Sequence, residues 1–476
     1  MRRLLFFLVT AACAAEEWRV PSTRLEDQMR GGLLGHILGD LNGLQHEMKY
    51  ILEPGDVASY TPDLSAGAFT DDDTDVEWVY VVEMERSRTL LIPPARMAEL
   101  WRRHINRRIW CSHLYLRRLL DLGIEPPLTG SAHLNPWASF NLSGQFVSES
   151  WGLISPGMPR TAARTAAHYT GVSVAGEPVQ AAQMFAAMIA TAFRTSEIDR
   201  ILAAGVAATD PASEMRRAAL DARRFHRRHP SDWRATRRLL KEKYMKYGGT
   251  DMRDRNGVLL NGSATVAALL YGKGDFVRTV RTAFNFGWDA DNNAATSGCI
   301  VGVTKGWRWM MTQGWSIRDE FRNTSRDEMP MNETITRFGD RLVRLAAQNI
   351  QEHGGAKVEN MYRVRVETPS PVERLPDPAQ SLAELRRRLG PKIVAGAEKG
   401  ATAQERARAA YLAICLDGAA ELRKGSPEAW ARAIEALNGY PGVLQVIFYQ
   451  SGPAGAAIRE KAEAAGLRRP PAAERF

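Results

Sequence analysis

The segment AFTDDDTDVEW, residues 68–78, sets four aspartates within five positions, Asp71, Asp72, Asp73 and Asp75, with Glu77 close behind. Like charges at that spacing repel, and burial strengthens the repulsion, so any fold that accommodates them must bring positive charge to them. A second acidic group lies more than two hundred positions downstream, in FNFGWDADNNAATSGCIVG, residues 284–302. There Asp289 and Asp291 form a D-x-D pair with Asn292 and Asn293 behind it. The small residues that follow, Ala294, Ala295, Ser297 and Gly298, suit a helix packed closely against a neighbour, which places the acids in a loop entering that helix. If the two groups meet, at least five carboxylates share one site and demand cations. Hard divalent ions with all-oxygen ligands answer that demand, and no His/Cys cluster competes for zinc. Taken singly, each group is also what an N-cap with exposed acids looks like, so spacing alone does not bring the two together.

Strand signals are scarce and the chain reads as all-α. Apolar periodicity and Gly/Pro punctuation predict helices over 25–41, 94–122, 160–169, 179–193, 231–247, 265–270, 275–284 and 293–304. At 476 residues, with 45% hydrophobic and 25% charged residues, the chain has a globular composition and is too long for one ordinary core. The stretch VETPSPVERLPDPAQSL, with Pro369, Pro371, Pro376 and Pro378, marks an extended, semi-stiff connector. The expected organisation is therefore a main helical domain over 16–366, a linker over 367–380, and a small C-terminal helical domain over 381–476 with no recognisable motif.

Residues 1–15, MRRLLFFLVTAACAA, have the basic start, short apolar run and small-residue cleavage site of a signal peptide, so export to the periplasm or beyond is expected. The apolar run is far below the roughly 20 residues of a spanning helix, and no transmembrane segment is expected. The net formal charge of +9 is modest for this size. Its densest basic run, residues 216–246, reads as a solvated helix pair with Leu220, Phe225, Leu239, Leu240 and Tyr244 as the buried stripe. No stacking aromatics alternate with its arginines, so no nucleic-acid partner is expected. Cys111, Cys299 and Cys415 are too few and too scattered for a disulfide framework, and Cys299 reads as a buried thiol.

Three motifs in order resemble those of the ADP-ribosylglycohydrolases. RGGLLGHILGDLNGLQHEMK, residues 30–49, is similar to the family's glycine-and-aspartate helix, with Gly31, Gly35, Gly39, Asp40 and Gly43 at its positions and Glu47 at its acidic residue. FTDDDTD resembles the T-D-D-T segment, and GWDADNNAATSG resembles G-D-x-D-T-N-A-A-x-x-G. The likeness covers roughly residues 25–307. It implies a compact multi-helix bundle around two Mg²⁺ ions, with Mn²⁺ as an alternative, held by Asp71, Asp72, Asp73, Asp289, Asp291 and Asn292. Asn292 stands where the family has Thr, and the first cluster has one Asp too many, so its register is either Asp71 to Asp73 or Thr70 to Asp72; the first is preferred. The segment 171–176 lacks a His that many relatives carry.

The implied reaction is hydrolysis of an N- or O-glycosidic bond of an ADP-ribosyl unit, free or protein-linked. Nearby carboxylates favour the positive charge of an oxocarbenium-like transition state. Asp72 is the expected general base and Glu47 an acid near the metals. Gly144 and Gln145 are expected around the ribose and diphosphate, with Trp288 walling the sugar. The alternatives are a non-catalytic ADP-ribose-binding or structural protein on the same fold, or another two-metal hydrolase such as a phosphoesterase.

Overall fold

The computed structural model describes residues 16–450 and 452–472, so the leader expected over 1–15 lies outside the described residues. Helices dominate, and the fold is all-α; among the described residues the strands are short and form three small sheets. The helix expected at 25–41 runs Ser22–Gly43, and that expected at 293–304 runs Ala290–Lys305. These two form the axis of the molecule. Gly31, Gly35, Gly39 and Gly43, one per helical turn, lie against Gly302, Gly298, Ala294 and Asp291 of the other helix. A Cβ on Gly35 would meet the Gly298 carbonyl oxygen at 2.2 Å, and one on Gly39 would meet that of Ala294 at 2.2 Å. Only glycine lets the two backbones touch, and that contact carries the end of one helix to the start of the other.

The pattern over 94–122 predicts one helix, but the chain forms two, Pro94–Arg103 and Cys111–Asp121. The reason lies in Arg326, fully buried, whose guanidinium donates to the carbonyls of Arg107 and Arg108 at 2.6 and 3.4 Å. Those carbonyls are unavailable to a continuing helix, and Arg108 and Cys111 take positive φ of 46° and 48°. The basic run forms the expected pair, Glu214–Arg228 and Trp233–Tyr244. Leu220, however, is 41% exposed, because the buried face runs through Met215, Ala218, Ala222 and Phe225, a helical spacing that excludes it.

Two strand pairings position the rest. Glu17–Pro21 pairs antiparallel with Met361–Arg365, so the main body closes on its own beginning. Ala68–Phe69 pairs parallel with Phe321–Arg322, which sets the entrance of the Asp72–Ser87 helix beside Arg326. The proline-rich stretch is extended and pinned rather than free. The N–H groups of Val372 and Glu373 donate to Gln183 Oε1 at 3.0 and 2.8 Å, and that of Leu375 donates to Asp210 Oδ2 at 3.2 Å. Beyond it, Pro378–Lys399, Ala403–Cys415, Pro427–Asn438 and Ala456–Ala464 build a second core. That core is shared, for it takes in Tyr115, Leu119, Leu122, Ile124, Leu134 and Trp137 of the main body. No described helix is long and apolar enough to cross a membrane.

Candidate metal centre

Asp71 caps the Asp72–Ser87 helix, its carboxylate accepting the Asp73 N–H at 3.4 Å. Asp72 and Asp73 fall in the first turn, where free N–H groups and the helix dipole favour anions. Asp289 stands at the N-cap position of Ala290–Lys305, with no side-chain capping hydrogen bond, and Asp291 lies in its first turn, so the second acidic group straddles the helix start. The two helix starts converge. Carboxylate oxygens of Asp71, Asp73, Asp291 and Asp40, the last from the final turns of the opening helix, lie within 4.8 Å of one another. Glu47, Asp289 and Asp291 form a second group within the same limit, and Asp291 belongs to both.

Neutral groups hold these acids in place. The His36 ring, which burial keeps neutral with a pKa pushed down to about 4, donates from Nε2 to the Asp73 carbonyl at 3.1 Å. Asn292 Nδ2 donates to Asp73 Oδ1 at 2.9 Å, and Asn256 Nδ2 donates to Asp289 Oδ2 at 2.7 Å. Asn261 Oδ1 accepts from the Asp289 N–H and from Asn293 Nδ2, both at 3.0 Å. Nothing in that frame is cationic. The buried guanidinium of Arg326 pairs with Asp75 at 2.6 Å, and that of Arg237 is spent on the carbonyls of Tyr50 and Phe286. Burial first, and neighbouring carboxylates second, therefore push Asp40, Asp72, Asp289 and Asp291 well above the carboxylate range, and Asp73 with them. Both carboxylate oxygens of Asp40, Oδ1 of Asp291 and Oδ1 of Asn292 are buried with no hydrogen-bond partner among the described residues. A group of oxygen acceptors without donors fits an oxygen-ligated divalent cation.

A cavity of about 410 Å³ opens onto the acids. Asp71, Asp72, Asp73, Asp289, Asp291 and Glu47 line it, together with Trp110, Cys111, Phe146 and Met252. Asp72 faces the cavity but belongs to neither close group, and Glu47 keeps a solvent-exposed face at its edge. Asn292 is fully buried against Asp73 and does not line the cavity. Thr70, the other candidate for the first register, is taken up by Thr324 and Ser325.

Three expected substrate contacts are not at the cavity wall. Trp288 is fully buried beneath the Arg237 guanidinium, 4.6 Å from its ring, because Arg237 must sit there to reach the carbonyls of Tyr50 and Phe286. Gly144 faces helix Glu177–Ala192, where a Cβ would strike the Pro178 carbonyl oxygen at 2.1 Å. Gln145 is buried behind the acids, its amide donating to Thr265 at 3.0 Å and to Asn293 at 3.4 Å. Asp40 is the residue that sequence reasoning passed over as a ligand. Its signal was present: the lone acid in the glycine-lined second half of the opening helix, Gly31 to Gly43. Asn256 and Asn261 carried no comparable signal.

A family model described as ADP-ribosylglycohydrolase matches residues 21–352. The matched span contains every acid of the centre and ends before the C-terminal helices. Comparison with curated proteins returned no match.

Proposed function

The chain belongs to the ADP-ribosylglycohydrolase family and is a hydrolase, and from that premise we propose that it is a Mg²⁺-dependent enzyme cleaving an N- or O-glycosidic bond of an ADP-ribosyl or related riboside substrate. The observation that carries this reading is the pair of overlapping acid groups sharing Asp291, with four buried acceptor atoms that no donor among the described residues meets. In this reading Asp40, Asp71, Asp73 and Asp291 hold one ion, and Glu47, Asp289 and Asp291 a second; Mn²⁺ has the same ligand preference. Bound divalent cations supply Lewis acidity toward ribose hydroxyls and the attacking water.

The remaining work falls to the chain. Asp72 faces the cavity outside both ion groups and its affinity for protons is raised by burial and by Asp71, which suits a base that takes the proton of the attacking water. The carboxylates across the cavity favour positive charge developing on the sugar at the anomeric carbon. Asn292 and Asn256, by donating to Asp73 and Asp289, leave the other carboxylate oxygens free to face the ions. With residues 1–15 read as a leader, this hydrolysis takes place outside the cytoplasm.

The test is turnover of ADP-ribosyl-arginine, ADP-ribosyl-serine and O-acetyl-ADP-ribose by purified protein, with Mg²⁺ and with EDTA, beside a phosphate-ester control. Release of free ADP-ribose that EDTA abolishes is the expected result. Activity on the phosphate ester alone would overturn it.

A further inference from the structure

The C-terminal helices lie beyond the family match, yet they do not pack only on one another. Their core encloses Tyr115 and Leu119 of helix Cys111–Asp121, together with Leu134 and Trp137 of the loop that follows. Cys111, Phe140 and Met252 pack against the same core from its edge. Two of these, Cys111 and Met252, also line the cavity that opens onto the acids. The same layer of residues is therefore cavity wall on one side and C-terminal core on the other.

The attachment is specific. Tyr411, fully buried in helix Ala403–Cys415, donates its hydroxyl to the Leu134 carbonyl at 2.5 Å and lies 3.0 Å from the Tyr115 hydroxyl. The Leu134 segment in turn leads to Asn141, which lines the cavity and accepts the Ser112 hydroxyl at 2.9 Å. The turn Gly452–Gly455 packs on Met252–Arg255, and the next residue, Asn256, holds Asp289. Leu44, Glu47 and Met48, which also line the cavity, follow directly on the opening helix and its glycine contact.

We propose that the C-terminal helices are the substrate-fitting part of this hydrolase: they hold the wall formed by Trp110, Cys111 and Met252 against the acidic face, with Tyr411 as a positioning residue. Trp110 is half exposed and its neighbours in the wall are a thiol, a thioether and Phe146, so the part of the substrate that lies on this wall is uncharged and flat or apolar. Loss of the Tyr411 hydroxyl leaves the buried Leu134 carbonyl without its donor, and the wall loosens while the acids, set by the glycine-packed helices, stay in place.

The turnover arm of the test rests on the function proposed above; a second arm does not. Cys111 is part-exposed at the cavity whereas Cys299 and Cys415 are buried, and burial with the Asp289, Asp72 and Glu47 charges pushes its thiol up, so its alkylation by N-ethylmaleimide, compared between variants at one pH and followed by peptide mass spectrometry, starts slow and rises as the wall loosens. Tyr411→Phe is expected to raise the Cys111 alkylation rate several-fold. It is also expected to raise KM for ADP-ribosyl-arginine about tenfold with kcat within twofold and Mg²⁺ affinity unchanged. Leu389→Ala, which loosens the same core without touching the cavity, is expected to do the same to a smaller extent and stands in if Tyr411→Phe does not fold. Unchanged alkylation in folded variants overturns the proposal, and so does a fall in kcat at constant KM. If the wild type cleaves no ADP-ribosyl substrate, the function proposed above fails while the alkylation rates still decide the role of the wall.

Discussion

Two sets of buried acids lie about one turn apart on the Asp72–Ser87 helix and meet opposite surroundings. Asp71 and Asp73 join Asp40 and Asp291 beside a cavity, and acceptor atoms of the last two are reached by no donor among the described residues. Glu77, further along the same helix, is fully buried near Glu149 and away from that cavity. Its Oε2 accepts the Ser150 N–H at 2.9 Å, while Glu149 accepts from the Thr296 hydroxyl at 2.5 Å and the Ser148 N–H at 3.1 Å. Burial, then the Glu149 charge, pushes Glu77 well up, and burial pushes Glu149 up to about 7. Between the two sets, Asp75 has the Arg326 guanidinium. One helix thus answers buried negative charge in three ways. Where an arginine reaches, the answer is an ion pair; where neither arginine nor cavity is present, burial raises the affinity for a proton; and where a cavity admits solutes, the function proposed above assigns a cation from outside.

The largest effect is expected where the comparison is sharpest, at the shared acid. Asp291→Ala should lower kcat by about a thousandfold, the scale on which removing a preorganised electrostatic group acts. It should also abolish the Mg²⁺-induced rise in melting temperature. In the wild type, Mg²⁺ at about a hundred times its Kd should add about 2.7 kcal/mol of stability, and at a fixed Mg²⁺ concentration the gain should be larger at pH 8 than at pH 6, because the ion displaces protons from these carboxyls. A melting temperature indifferent to Mg²⁺ and EDTA would erase the difference between the two sets.

Next in size is the internal ion pair. Asp75→Ala should cost about 3–5 kcal/mol in urea unfolding, since it strands Arg326 without its counter-charge. A cost below about 1 kcal/mol, the scale of exposed pairs, would show that Arg326 finds another anion.

The smallest effect, with its own pH signature, belongs to the protonated pair. Glu149 at about 7, against an ordinary 4.5, keeps in the folded state a proton that the unfolded chain has already released. Its contribution to stability is complete below pH 4.5, is lost as pH rises to about 7, and is level above that. Glu149→Gln should therefore match the wild type near pH 4 and exceed it at pH 8, by up to about 3 kcal/mol. Denaturation midpoints at the two pH values measure the difference. An equal gap at both would mean that Glu149 titrates in the folded protein as it does in the unfolded chain.

Much of this centre was legible because its markers are local. The glycines four apart in the opening helix, the crowded aspartates and the D-x-D pair before small residues each announce themselves within a dozen positions, and the family likeness put them in order. Asp40 went unread as a ligand because the same glycine stripe that exposes its backbone to Asp291 also makes it look like part of a packing helix. Trp288 read as a substrate contact because it directly precedes Asp289, and Gln145 because the family likeness sets it, with Gly144, in a loop around the ribose and diphosphate. Neighbours in sequence on a helix or tight turn differ in direction, and the structure turns both into the interior. The interruption at 104–110 was unreadable for a different reason: the group that claims those carbonyls, Arg326, comes from more than two hundred positions away.

By itself the sequence determined the helical class, the inventory of acids and the faces along which backbones could touch, because periodicity and side-chain size act over a few residues. Which acid is neutralised by what was decided only in three dimensions. Asp73, Asp75 and Glu77 are spaced two apart, yet each successive pair is turned well round the helix axis, toward a cavity, a guanidinium and a second carboxyl in turn. Coulomb energy depends on distance and burial, and separation along the chain encodes neither.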